Sequence, residues 1–127
     1  MKEFTYNILI NADTEEVFSA LTNPFQIELW TGFPAVMDDK AGTIFSLWDG
    51  DISGCNLEVI KDYKIVQEWF FGETEHPSIV TLILKKEGKN TKINLIHTNI
   101  PEDAYEEIVE GWKDYYLGSM KNFLEFY

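Results

Sequence analysis

The chain has 127 residues, 45% hydrophobic and 15% aromatic, which fits one domain and is too apolar for a disordered segment. Its 22 acids against 10 bases give a formal net charge of −12, so nucleic acid and anionic membrane surfaces are poor partners. The one cysteine, Cys55, allows no intrachain disulfide and suits a reducing compartment.

Read in chain order, residues 3–10 alternate apolar and polar side chains and end in Ile8-Leu9-Ile10, the pattern of a strand. This opening has no apolar core of the kind a signal peptide carries, and no later run reaches membrane-spanning length. A cytoplasmic protein is the expectation. Asp13 can cap a short helix, with Glu16 closing a capping box and Val17, Phe18 and Leu21 on its buried face. Pro24 can open a second helix carrying Phe25, Leu29 and Trp30.

A run of strands follows. Thr43–Trp48 leads through the turn signal Asp49-Gly50 into Ile52–Ile60. Lys61–Lys64 turns into Ile65–Phe71, and residues 73–77 form a loop. Ile79–Lys85 and Thr91–Thr98 make a hairpin around Glu87-Gly88-Lys89-Asn90. Returns this short imply an antiparallel meander, because parallel neighbours need a long crossover. Pro101-Glu102-Asp103 opens the last element, whose first turns hold five acids and no base over 102–110, favourable at a helix N-terminus. Ile108, Trp112, Tyr115, Tyr116, Phe123 and Tyr127 then recur at helical spacing over a length of about 30 Å. Such a helix needs a broad apolar surface, which the meander supplies.

The chain therefore reads as a single α+β domain over 1–127, with no linker or repeat. A curved antiparallel sheet grips a long C-terminal helix, and such an arrangement can leave a pocket between the two.

Three groups of residues carry a family resemblance. Near the start they are Asn11-Ala12-Asp13-Thr14-Glu15-Glu16-Val17-Phe18 through Pro24, then Trp30. In the middle they are Ala41-Gly42-Thr43-Ile44-Phe45, Gly54-Cys55-Asn56-Leu57-Glu58-Val59 and Ile65-Val66-Gln67-Glu68-Trp69. At the end they are Ile100-Pro101 and Gly111-Trp112-Lys113-Asp114-Tyr115-Tyr116. In this order the chain resembles the homologues of the activator of the heat-shock protein 90 ATPase, within the START-like (SRPBCC) superfamily. It looks closer to the C-terminal domain of the eukaryotic activator than to the polyketide-cyclase-like relatives. The resemblance implies the helix-grip fold, also called birch-pollen-allergen-like, and a chaperone protein as one class of partner.

The candidate site residues each admit a packing role beside a binding one. Trp112 and Tyr116 lie four apart and share a helix face, where they can line a pocket with the Tyr116 hydroxyl as a polar anchor, or pack as core. Gly111 and Gly118 each cost the helix about 1 kcal/mol, which close approach to the sheet or added cavity volume could offset. Trp30 and Phe33 fall where a loop could form a mouth or a plug. His97 shares the strand phase of Ile93 and Leu95, Trp69 that of Ile65 and Gln67, and Trp48 that of Ile44 and Ser46, with core packing the default for both tryptophans. Phe45, Trp69 and His97 complete the candidate lining.

No metal-ligand spacing, phosphate loop or nucleophile motif occurs, so no cofactor, metal or catalytic residue is assigned. His97, Glu58 and Glu68 are the titrating candidates for the cyclase or hydrolase chemistry that the superfamily also contains. The residue set favours a non-enzymatic domain binding a hydrophobic small molecule between helix and sheet. A co-chaperone-like module for a heat-shock protein 90 homologue, acting through the acidic surface, is the alternative.

Overall fold

Alternation of buried and exposed side chains sets the sheet in place. In the computed structural model, which describes residues 1–72 and 76–126, six strands pair in the order β1-β6-β5-β4-β3-β2, every pair antiparallel. They are β1 (Lys2–Ile10), β2 (Ile44–Leu47), β3 (Ile52–Ile60), β4 (Lys64–Trp69), β5 (Ser78–Glu87) and β6 (Asn90–Ile100). Part of the expected loop over 73–77, and Tyr127, lie outside the described residues.

One face of the sheet is dry. Ile65, Gln67 and Trp69 on β4, Ser78, Val80, Leu82 and Leu84 on β5, and Ile93, Leu95 and His97 on β6 are all buried. The register brings them into rungs: Asn56 opposite Gln67, Gln67 opposite Val80, Val80 opposite His97. A register shift between Asn56 and Glu58 leaves Leu57 as an extra, exposed residue. This bulge changes the strand's phase.

Two short helices close one end of the sheet. Helix α1 (Thr14–Thr22) starts at Asp13, whose carboxylate accepts the Glu16 N–H at 2.8 Å, and the Glu16 side chain makes no return bond to Asp13. Helix α2 (Pro24–Thr31) is capped by Asn23, which accepts from Phe25 and Gln26, and ends at Gly32 with φ +82°. It buries Ile27 and Trp30 and leaves Phe25 and Leu29 to solvent.

The C-terminal helix lies across the dry face as expected, but it is not uniformly α-helical. After a 3-10 turn over Glu102–Ala104 come α3 (Tyr105–Glu110), a π-helical turn (Gly111–Tyr116) and α4 (Leu117–Glu125). The Leu117 N–H bonds back to the Trp112 carbonyl, five residues earlier. The two interior glycines have separate reasons. A Cβ on Gly118 would run into the carbonyl oxygen of Lys113, so Gly118 admits the displaced backbone of the π turn. A Cβ on Gly111 would meet nothing within 4 Å, so Gly111 leaves space.

The C-terminal end is tied to β1. Lys121 donates to the Leu9 carbonyl at 2.7 Å and to Glu125 at 2.6 Å, and Glu125 accepts the Asn11 N–H at 2.9 Å. These bonds hold the Glu125 carboxyl below its ordinary pKa, the Lys121 hydrogen bond contributing most.

The two glycines predict opposite mutational signs. Gly118→Ala should lower stability by about 1–3 kcal/mol through overpacking, seen as a fall in Tm of several degrees. Gly111→Ala, at φ −59° and ψ −44°, should raise it by up to about 1 kcal/mol. Thermal unfolding followed by circular dichroism checks both.

Candidate functional site

Four tryptophans, one tyrosine and one histidine meet where the π turn crosses the sheet. Trp112 stacks on Trp69 at 4.8 Å with an interplanar angle of 23°, and its ring lies 4.4 Å from Tyr116. Tyr116 continues to Trp30 at 5.2 Å and to Trp48 at 5.7 Å. Trp69 and Trp112 both meet His97 edge-on, at 5.0 and 6.1 Å. Each such ring pair contributes about 0.5–1.5 kcal/mol beyond its area.

The buried polar atoms of this cluster are paired in two chains. In the first, the Trp112 indole N–H donates to His97 Nδ1 at 3.0 Å. An accepting Nδ1 carries no proton, so the imidazole proton sits on Nε2. Nε2–H then donates to Ser78 Oγ at 2.8 Å, and the Ser78 hydroxyl donates to the Thr98 carbonyl at 3.2 Å. In the second, the Trp69 indole N–H donates to Gln67 Oε1, Gln67 Nε2 to Asn56 Oδ1, and Asn56 Nδ2 to Thr43 Oγ1, each at 3.0 Å. Trp30 is fixed by a third bond, from its indole N–H to the Ala20 carbonyl at 2.9 Å. Burial lowers the His97 pKa to about 4 and pushes that of Tyr116 far above its ordinary value. Both are neutral at pH 7.

Beside this cluster runs an open-sided groove of about 710 Å³. Its sheet wall is Trp48, Asp51, Ile52, Trp69 and Phe71. Its helix wall runs from Ala104 to Tyr116 and includes Glu107, Gly111 and Trp112. The space that Gly111 leaves is part of it.

Of the residues singled out in the sequence, Trp69, Trp112 and Tyr116 line this groove. His97 is fully buried beneath Trp69 and Trp112 and does not line it. Phe45 is fully buried in the core, Trp30 is a core residue, and Phe33 is exposed, none of them lining the groove. Trp48, expected in the core, is half-buried and forms part of the wall. Its backbone sits at φ +50°, followed by Asp49 at +55°, an uncommon conformation for a bulky residue. The Asp49-Gly50 signal located the turn but did not reveal that Trp48 belongs to it.

The expected acid candidates do not converge. Glu58 ion-pairs with Lys64 at 3.4 Å, while Glu68 lies opposite Cys55, on the sheet face away from Gln67 and Trp69. Among the described residues, no group of three or more His, Cys, Asp or Glu side chains is placed to hold a metal ion. No helix among them is long and apolar enough to cross a membrane.

Comparison with known proteins agrees with this architecture. The family described as "Activator of Hsp90 ATPase homolog 1-like protein" matches residues 11–125. The activator of 90 kDa heat shock protein ATPase homolog of Dictyostelium discoideum is 29% identical over 110 residues, covering 84% of this chain and 29% of that protein. The human homolog 1 is 27% identical over 109 residues, covering 84% of this chain and 32% of that protein. The chain thus spans about a third of the length of these curated relatives. The crystal structure of a heat-shock protein 90 activator from Plasmodium falciparum superposes with a TM-score of 0.89 at 28% identity, covering 98% of this chain and 96% of that one.

The lowered His97 pKa predicts a pH dependence of stability. The unfolded chain takes up a proton near pH 6.5 and the folded chain only near pH 4. Stability from this residue is therefore full above pH 6.5 and is lost as pH falls towards 4. Between pH 7 and pH 5 the loss should be about 2 kcal/mol. Urea unfolding at pH 7, 6 and 5 should show it in the native chain, and the slope should flatten in His97→Asn.

Proposed function

The chain belongs to the family of activator of Hsp90 ATPase homolog 1-like proteins, and from that footing we propose that it is a non-enzymatic binding domain whose groove between helix and sheet takes up a hydrophobic small molecule. The observation that carries this reading is the groove itself. About 710 Å³ is the size of a small-molecule site, and its walls are mostly apolar, with six aromatic residues among the thirteen that line it and three carboxylates as the charged groups. Trp69, Trp112 and Tyr116 are the proposed contacts, joined by Trp48. His97 acts behind them, fixing the Trp112 ring by accepting its N–H. A cytoplasmic location belongs to the same proposal and fits the free Cys55.

Native mass spectrometry of the protein isolated from its own host tests this reading. An extra mass that disappears on denaturation is expected, and Gly111→Leu, which places a side chain in the groove, should abolish it while the fold persists. A bare protein, with the same spectrum in the variant, would count against a ligand.

A second reading has its own support. The Plasmodium falciparum protein described as a heat-shock protein 90 activator matches this chain over almost its whole length. Glu102, Asp103, Glu106, Glu107 and Glu110 are all exposed along one stretch of the helix, an acidic surface that a basic patch on a chaperone could meet. Addition of the protein to a heat-shock protein 90 homologue from the same host should then raise its ATPase rate, and the effect should weaken several-fold between 50 and 300 mM salt. An unchanged rate at low salt would remove this reading.

A further inference from the structure

The charge around the groove narrows the class of molecule it would take, on the premise that it is a ligand site. Three of the lining residues are carboxylates, Asp51, Glu107 and Glu110, and none is Lys, Arg or His. Among the described residues these three carboxylates enter no ion pair; the three pairs formed involve Glu102, Glu58 and Glu125. Like charges left unpaired beside low-dielectric walls raise the local concentration of cations and lower that of anions. The walls add to this preference, because the faces of Trp and Tyr rings carry the negative part of the ring quadrupole.

An independent observation comes from within the ring cluster. Tyr116 is 2% exposed and lines the groove, yet among the described residues its hydroxyl has no hydrogen-bond partner. The neighbouring indoles of Trp30, Trp69 and Trp112 all direct their N–H groups to protein acceptors. The one sealed and unpaired side-chain polar atom among the described residues is Asp62 Oδ1, so the Tyr116 hydroxyl is open to the groove, while burial of the residue keeps it protonated. With the Trp48 indole N–H, likewise without a hydrogen-bond partner among the described residues, it is a polar group of the cluster left for an incoming molecule.

We propose that the groove selects an organic cation, an ammonium or quaternary ammonium group on an aromatic or alkyl body. Asp51, Glu107, Glu110 and the ring faces meet its charge, Ile52, Phe71 and Ile108 meet its apolar body, and the Tyr116 hydroxyl bonds to a polar atom on it.

An isosteric probe pair tests this. (3-Hydroxyphenyl)trimethylammonium and 3-tert-butylphenol have the same shape and the same hydroxyl and differ only in charge. Binding is read from the indole N–H signals of Trp48 and Trp112 in a 1H–15N NMR titration at low salt. The cation should bind at least tenfold more tightly than the phenol. That advantage should shrink below threefold in Glu107→Gln/Glu110→Gln, whose exposed positions make little demand on folding. Equal affinities, or tighter binding of the phenol, would overturn the charge preference and leave the groove as a site for neutral molecules. If neither probe moves these signals, the cation proposal falls. The native mass measurement then decides separately whether the groove holds any molecule at all.

Discussion

The hydrogen bond from the Trp112 indole to His97 Nδ1 joins the helix to the sheet in a place where no water can substitute for it. Both residues are essentially fully buried. An unpaired indole N–H or imidazole nitrogen there would carry the full cost of desolvation, about 1–3 kcal/mol. The bond therefore constrains more than its own energy. It fixes the imidazole tautomer, which directs Nε2–H to Ser78 and so ties β6 to the start of β5. It also fixes the Trp112 ring, on which Trp69 stacks and to which Tyr116 leans. The helix can occupy one register on the sheet, and the groove wall follows from that register.

The second polar chain, from Trp69 through Gln67 and Asn56 to Thr43, serves the other wall in the same way. Two satisfied networks converge on one stacked pair of indoles. Buried polar groups of this kind specify a unique arrangement more than they add stability, since an apolar core could be as stable but would tolerate more than one packing. The groove is thus bounded by side chains whose orientations are set from behind.

The sheet was legible because its inward positions alternate with little interruption. Ile65, Gln67 and Trp69, and Ile93, Leu95 and His97, show the period of two that a strand with one dry face must have. The helix was legible from its aromatic spacing and acidic start. Three features resisted. The π turn has no compositional signature, and Gly111 with Gly118 signalled only that something offset two poor helix formers. The bulge at Leu57 breaks a pattern whose continuation would have been equally plausible. Trp48 read as the inward end of a strand, because a bulky residue in a left-handed turn is what local preference argues against. The site residues divide along the same line. Trp69, Trp112 and Tyr116 follow from periodicity, while His97 shares the right face but lies too deep, a matter of depth that phase cannot report. Phe45 is buried on the strand phase opposite to that of Ile44, Ser46 and Trp48, of which Ile44 is exposed.

The π turn is, in effect, one residue more than an α-helix would use to cover the same length. Deleting a single residue between Gly111 and Tyr116 would let the segment relax to ordinary α-helix. Because the wide turn absorbs the extra residue, α3 and α4 would keep nearly the same facing, and the change would fall on the turn itself, where Gly118 now admits the Lys113 carbonyl. That glycine would then lose its reason. A related chain one residue shorter in this turn should therefore carry a larger residue where this one has Gly118.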